Sequence, residues 1–142
     1  MTVEVLYSTK ARATGGRDGF VETLDGAFKV NLSTPAELGG AGGEGNNPEQ
    51  LFSAGYAACF LGAMKFVASQ NDKFQVPENT EVGSKVGIGP REAGGFGLTV
   101  ELNVSLPGIE KSVADELVNA AHEVCPYSNA TRNNIDVKLA VA

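Results

Sequence analysis

The two cysteines, Cys59 and Cys125, are the side chains of this sequence that are best suited to covalent chemistry. A thiolate is a strong nucleophile, and its first oxidation product, a sulfenic acid, condenses with a second thiol to give a disulfide. Cys59 lies in an apolar run, where burial raises the pKa of a thiol and favours an inert core residue. Cys125 precedes Pro126, where the chain changes direction and a thiol can reach a cleft. Only tertiary packing can bring the two thiols together.

The sequence contains one histidine, His122, three residues before Cys125 and on the same side of a predicted helix. A Cys–His pair of this kind is typical of a thiol hydrolase. A single histidine on a helix is more often exposed to solvent, or hydrogen-bonded within the core.

Two cysteines and one histidine cannot complete a zinc site without carboxylates or a second chain, so no metal site is predicted. A redox-sensing protein that forms the same disulfide without turnover is a further alternative.

The composition is that of one globular domain spanning residues 1–142, with 42% hydrophobic and 20% charged residues. A net charge of −6, with scattered basic residues, argues against nucleic-acid binding. Gly62 and Lys65 interrupt the longest apolar stretch, and the N-terminus does not resemble a signal peptide, so we expect no membrane span. We therefore expect a cytoplasmic protein, in which thiols are more often catalytic, redox-active or buried than joined in a permanent disulfide.

Hydrophobic periodicity predicts an α+β domain with element order βββ-α-ββ-α-β and mainly antiparallel pairing. Asp25-Gly26 predicts a tight hairpin turn, and the glycine-rich segment 34–47 predicts a long connection with a function. Ser112 is expected to cap a second helix that ends at Val124. The predicted strands cover residues 2–8, 20–24, 27–32, 81–89, 96–106 and 135–141.

A first, long helix is predicted after Asn47, which is a good cap, with Pro48 at the first helical position. From residue 51 to residue 68 the sequence is apolar nearly all round, a composition that indicates a buried, central helix. Gly55 and Gly62 fall near the same side of this helix. They would permit the close approach of another helix.

Three blocks of the sequence belong together: the glycine-rich loop 15–19, the block 47–60 that ends at Cys59-Phe60, and the block 124–132 that contains Cys125. With these blocks the chain resembles, over essentially its whole length, the organic hydroperoxide resistance family. That family is a branch of the proteins related to osmotically inducible protein C. The segments Asn-Pro-Glu-Gln-Leu-Phe and Cys-Pro-Tyr-Ser favour the organic hydroperoxide branch.

The resemblance implies that Cys59 attacks the peroxide, that Cys125 resolves the sulfenic acid, that Arg17 activates Cys59 and that Glu49 orients Arg17. A guanidinium beside the sulfur would stabilise the thiolate and the departing alkoxide, and a carboxylate can hold it by a bidentate pair. Some apolar neighbours of Cys59 are expected to line a pocket for an alkyl or lipid peroxide, although such residues are more often core. These neighbours are Phe52, Tyr56, Phe60 and Met64.

The resemblance also implies an intertwined homodimer with two sites at its interface. It implies no bound metal or flavin, and recycling by dihydrolipoyl groups on lipoylated proteins. In one straight helix, Glu49 and Cys59 would lie about 15 Å apart along the axis. Unless that helix breaks, we expect Arg17 and Glu49 of one subunit to face Cys59 of the other.

Overall fold

Two three-stranded sheets and three α-helices give residues 2–142, which the computed structural model describes, an α+β fold. The predicted fold class is therefore confirmed. By its internal contacts the chain divides into two compact units, one that ends at Leu51 and one that begins at Phe52.

The first unit is built on an antiparallel sheet of β1 (Ala11–Thr14), β2 (Phe20–Thr23) and β3 (Lys29–Asn31), in that order. The predicted hairpin at Asp25-Gly26 is confirmed. Gly26 has a positive φ of 76°, and its N–H donates to the Thr23 carbonyl.

The strand predicted over residues 2–8 is wrong for the single chain. Residues 2–10 form no strand, and the first strand begins at Ala11. Apolar side chains in this segment face solvent, with Leu6 92% exposed and Val3, Val5 and Tyr7 similarly open. An alternating sequence becomes a strand only where a neighbouring strand supplies hydrogen-bond partners.

The second sheet contains β4 (Glu81–Pro90), β5 (Phe96–Ser105) and β6 (Val137–Val141), in that order. β4 and β5 pair antiparallel, whereas β5 and β6 pair parallel. A parallel pair needs a crossover connection, and here two helices, α2 (Lys111–Val124) and α3 (Pro126–Thr131), lie between the strands in the sequence. Both helices precede β6, and Cys125 is the residue that joins them.

The long helix α1 spans Pro48–Gln70 without a break. Its start is a reciprocal cap: the Gln50 N–H donates to Asn47 Oδ1 at 2.9 Å, and the Asn47 N–H donates to Gln50 Oε1 at 3.1 Å. The predicted cap at Asn47 is thus confirmed. By length and composition alone α1 could cross a membrane, which corrects the expectation that no apolar stretch is long enough. A core helix of a soluble protein has the same properties, and α1 supplies several core residues.

The hydrophobic core of the second unit lies between α1, the second sheet and α2. Its fully buried members include Tyr56, Phe60, Met64, Val100, Leu102, Val104, Leu117, Val118 and Ala121. Not all of α1 is covered in the single chain, since Phe66 remains more than half exposed.

The predicted close approach of another helix at Gly55 is met by α3, whereas the predicted cap at Ser112 needs correction. A Cβ at Gly55 would lie 3.1 Å from Tyr127 Oη, so the close approach here is by an aromatic ring of the short helix α3. A Cβ at Gly62 would meet nothing within 4 Å. Ser112 does not cap α2, which begins one residue earlier; its hydroxyl instead donates to Glu110 Oε1 at 2.7 Å.

Candidate active site

The fold brings the two cysteines together. Cys125 Sγ lies 3.6 Å from Cys59 Sγ, and both residues are free thiols. Cys59 lies within α1, whereas Cys125 has extended backbone angles between α2 and α3. The Cys125 N–H donates to the Ala121 carbonyl and its own carbonyl accepts from the Asn129 N–H, so both neighbouring helices fix this residue. The sulfurs are in contact, but are farther apart than the 2.05 Å of a disulfide bond.

The two thiols differ in access to solvent. Cys125 has no exposed surface, whereas Cys59 is half-buried. Burial is the main reason that the pKa of the Cys59 thiol is raised above its ordinary value, and the adjacent Cys125 thiol acts in the same direction. A backbone hydrogen bond with Tyr127 acts in the opposite direction and lowers the pKa. A reactive thiolate at this position therefore requires added positive charge.

An apolar cavity of 350 Å³ borders Cys59. It is lined by Cys59, Gly62, Ala63, Phe66, Val124 and Pro126. A cavity of this size can hold a small organic molecule beside the sulfur.

None of the four residues expected in a substrate pocket lines this cavity. Tyr56, Phe60 and Met64 have no exposed surface and pack in the core, as apolar residues of a central helix more often do. Phe52 borders a separate cavity of 430 Å³ together with Tyr127. In the single chain three of the four expected pocket residues therefore lie in the core, and their role in substrate binding stays a prediction. An all-apolar helix gives no pattern that separates its core side from its cavity side.

The first unit contains the predicted bidentate pair of Arg17 and Glu49. Arg17 Nη1 donates to Glu49 Oε2 at 2.8 Å, and Nη2 donates to Oε1 at 2.6 Å. The pair lowers the pKa of Glu49 and raises that of Arg17. Arg17 thus remains a cation whose guanidinium plane is fixed by the carboxylate.

The turn that carries Arg17 is tightly constrained. It is a short 3₁₀ helix, Gly16–Asp18, and a Cβ at Gly19 would fall 1.7 Å from the Thr14 carbonyl oxygen. Only glycine fits this position without movement of the backbone. Asp18 Oδ1 accepts hydrogen bonds from the Thr34 N–H and hydroxyl, which attaches the turn to the glycine-rich connection.

His122 is bound to a serine rather than to Cys125. Its Nδ1 forms a 2.8 Å hydrogen bond with Ser128 Oγ, and burial followed by the charge of Arg132 lowers the pKa of the imidazole. Ser128 is itself buried and was not singled out from the sequence. The signal that could have found it is its position three residues after Cys125, one helical turn away.

No group of three or more His, Cys, Asp or Glu side chains in residues 2–142 is arranged so that it could hold a metal ion.

The chain belongs to the OsmC-like protein family, whose model matches residues 40–140. It is 58% identical over 139 residues to the organic hydroperoxide resistance protein of Xanthomonas axonopodis pv. citri, a match that covers 98% of this chain and 96% of the relative. A solved organic hydroperoxide resistance protein of Legionella pneumophila has 50% identity and a TM-score of 0.91, covering 98% and 99% of the two chains. One from Elizabethkingia anophelis has 48% identity and the same TM-score, covering 99% of each. The resemblance to the organic hydroperoxide resistance proteins is thus confirmed.

Proposed function

We propose that this protein is a thiol peroxidase that reduces organic hydroperoxides to alcohols. The observation that supports this proposal most is the pair of free thiols at 3.6 Å, in which Cys59 borders a cavity and Cys125 has no exposed surface. The relatives named organic hydroperoxide resistance protein indicate the substrate class. The apolar lining of the cavity suits an alkyl group better than it suits water or hydrogen peroxide.

In the first step, the Cys59 thiolate attacks one peroxide oxygen. The O–O bond breaks, the alkoxide leaves and takes up a proton to become the alcohol, and Cys59 becomes a sulfenic acid. In the second step, the Cys125 thiolate attacks the Cys59 sulfur. The S–O bond breaks, hydroxide leaves as water after protonation, and the Cys59–Cys125 disulfide forms. The sulfurs must close from 3.6 Å to about 2.05 Å for this bond to form.

Arg17 and Glu49 supply, in this proposal, the positive charge that Cys59 needs. We place them in the partner subunit of an intertwined homodimer, because α1 runs unbroken from Pro48 to Gln70 and so separates Glu49 from Cys59 by about 15 Å along its axis. The exposed apolar residues of the single chain support an assembly. Leu6 in the segment before β1 and Phe66 on α1 are both open to solvent.

Dihydrolipoyl groups, carried on lipoylated proteins, complete the proposed cycle as the external reductant. A dithiol of this kind reduces the disulfide to two thiols and is oxidised to its own cyclic disulfide. The relatives named above are bacterial proteins, and we propose the bacterial cytoplasm as the place of action.

The sequence is also compatible with two other activities. A thiol hydrolase would need Cys125 to be an accessible nucleophile in contact with His122, whereas Cys125 has no exposed surface and its sulfur contacts Cys59. A redox sensor would use the same two thiols and would form the disulfide without turning over. The thiol geometry fits both a sensor and a peroxidase, so turnover distinguishes them.

The test is peroxide consumption with dihydrolipoamide as the electron donor, comparing tert-butyl hydroperoxide with hydrogen peroxide. We expect many turnovers with the organic peroxide and slower reaction with hydrogen peroxide. Cys59→Ser should abolish consumption, whereas Cys125→Ser should consume one equivalent and retain an oxidised Cys59, detectable by mass spectrometry. A single turnover by the wild type would favour the sensor, and a sulfenic acid on Cys125 in an active Cys59→Ser protein would reverse the assignment.

A further inference from the structure

Four buried or half-buried polar side chains form a continuous hydrogen-bonded network beside the thiols. Ser128 Oγ lies 2.8 Å from His122 Nδ1 and 2.8 Å from Tyr56 Oη, and Tyr56 Oη lies 3.2 Å from Thr131 Oγ1. Tyr56 and Ser128 have no exposed surface, and Thr131 is almost as deeply buried. We call this set, His122, Ser128, Tyr56 and Thr131, the hydroxyl network.

The donors and acceptors of the hydroxyl network fit a single direction. The Thr131 hydroxyl donates to the Ser128 carbonyl, so it has to accept the proton of Tyr56. Tyr56 then accepts from Ser128, and Ser128 accepts from His122 Nδ1–H. Every hydroxyl proton is used once, which is the arrangement in which a buried polar group carries no unmet hydrogen bond.

The network is anchored one helical turn from each sulfur. Tyr56 precedes Cys59 by three residues on α1, and Ser128 follows Cys125 by three residues on α3. Because α3 has only six residues, its position depends on tertiary contacts rather than on its own helical stability. The Tyr127 ring, seated over Gly55, provides a second contact between α1 and α3. The connection from one thiol-bearing segment to the other therefore passes through buried hydroxyl groups.

We propose that the hydroxyl network is a positioning device that fixes the separation of the two sulfurs and so sets how readily the Cys59–Cys125 disulfide forms. A short helix that is free to shift would let the sulfurs spend more time apart, and this lowers their effective concentration toward each other. Tyr56 and Ser128 are positioning residues, since neither takes part in a bond-making step. The inference rests on the proposed function only in treating the disulfide as a step of the cycle.

The equilibrium between the dithiol and the disulfide tests the inference without any peroxide. In a glutathione buffer, the two protein thiols and one glutathione disulfide give the protein disulfide and two glutathione molecules. Acid quenching, alkylation and mass spectrometry measure the fraction oxidised. For Tyr56→Phe and Ser128→Ala we expect the equilibrium constant for disulfide formation to fall about fivefold to tenfold, the equivalent of roughly one buried hydrogen bond.

Ser53→Ala is the matched control. Ser53 also lies on α1, three residues before Tyr56, and its hydroxyl donates to the Ser84 carbonyl on β4 at 3.0 Å. The Ser53→Ala substitution removes a comparable hydrogen bond of α1 that does not involve α3. The equilibrium constant for disulfide formation in this variant should therefore stay within about twofold of the wild-type value. If Tyr56→Phe or Ser128→Ala fails to fold, Thr131→Val removes one hydroxyl of nearly equal volume and should show a smaller shift in the same direction.

A second readout is the lifetime of the Cys59 sulfenic acid after one equivalent of tert-butyl hydroperoxide, which should lengthen by a similar factor in Tyr56→Phe. A purely structural role of the network predicts only altered folding stability. The inference would be overturned if the equilibrium constant for disulfide formation were unchanged or increased in Tyr56→Phe. It would also be overturned if this constant fell equally in Ser53→Ala. The two proposals fail separately. An active peroxidase with an unchanged equilibrium defeats only the positioning role, and a shifted equilibrium without peroxide turnover defeats only the proposed function.

Discussion

The Arg17–Glu49 pair should contribute measurably to folding stability, and its contribution should depend on pH. Exposed ion pairs contribute about 0.2–1 kcal/mol, whereas hydrogen bonds to charged groups contribute about 1.5–3 kcal/mol when the groups are shielded from water. The Glu49 side chain is 14% exposed and that of Arg17 is 35% exposed, so we expect a coupling free energy of about 1–2 kcal/mol at pH 7.

The two single substitutions should be unequal. Arg17→Ala leaves the mostly buried carboxylate of Glu49 without a counter-charge, and should cost about 2 kcal/mol. Glu49→Gln keeps the shape of the side chain and leaves a guanidinium that can turn toward water, and should cost about 1 kcal/mol. The exposed pair Arg12–Glu22, at 2.7 Å with side chains 55% and 21% exposed, is the matched control and should couple more weakly.

The sign of the pH dependence follows from the pKa of Glu49, which Arg17 lowers. The stabilisation is fully present above the pKa of a glutamate in the unfolded chain, about 4.3, and is lost as the pH falls through the lower folded value. Arg17, whose pKa is raised, stays charged throughout this range.

The coupling free energy is obtained from urea unfolding of the wild type, both single variants and the double variant. Circular dichroism monitors the unfolding at one protein concentration, from pH 7 to pH 3. The double-mutant cycle cancels the titration of other carboxylates. A coupling free energy below about 0.5 kcal/mol at pH 7, or one that is the same at pH 3, would refute the reasoning.

Three further predictions concern the reaction. Arg17→Ala should raise the pH midpoint for alkylation of Cys59 and slow the oxidation of Cys59, and Glu49→Ala should have a smaller effect in the same direction. Identical pH profiles for alkylation in the wild type and Arg17→Ala would exclude the electrostatic role. Mixed and refolded Arg17→Ala and Cys59→Ser chains should recover part of the activity, since a heterodimer has one intact site; confirmed heterodimers without activity would place the whole site in one chain. Gly62→Leu should fill the cavity at Cys59. The resulting loss of kcat/KM should be at least about tenfold greater for cumene hydroperoxide than for hydrogen peroxide. Equal losses of kcat/KM for the two peroxides would show that the cavity does not bind the substrate.

Local sequence signals were sufficient for the elements that are determined by local chemistry. The Asn47-Pro48 pair marked the start of α1, and the Asp25-Gly26 pair marked the hairpin, because capping and turn geometry involve residues that are close in the sequence. The alternation of residues 81–89 likewise located β4 almost to its last residue.

The sequence was less informative where a partner from elsewhere decides the structure. Residues 2–8 have strand periodicity but gain no neighbouring strand in the single chain. Tyr56 was assigned to a pocket because nothing local shows that its hydroxyl meets Ser128, 72 residues away. The contact between the two sulfurs is also a product of tertiary packing, and only the resemblance to a family pointed to it.

The complete burial of Cys125 has a consequence for the regiochemistry of reduction. An incoming thiolate must approach a disulfide along the S–S axis, from the side opposite the sulfur that departs. While Cys125 keeps its buried position between α2 and α3, only the sulfur of Cys59 offers such a path, from the cavity. In the proposed cycle, the mixed disulfide with the reductant would therefore form on Cys59, and Cys125 would depart as the leaving thiolate. Oxidant and reductant would then arrive by the same route, and a reductant with a narrow, extended dithiol arm would fit that route better than one whose thiols are set into a flat protein surface.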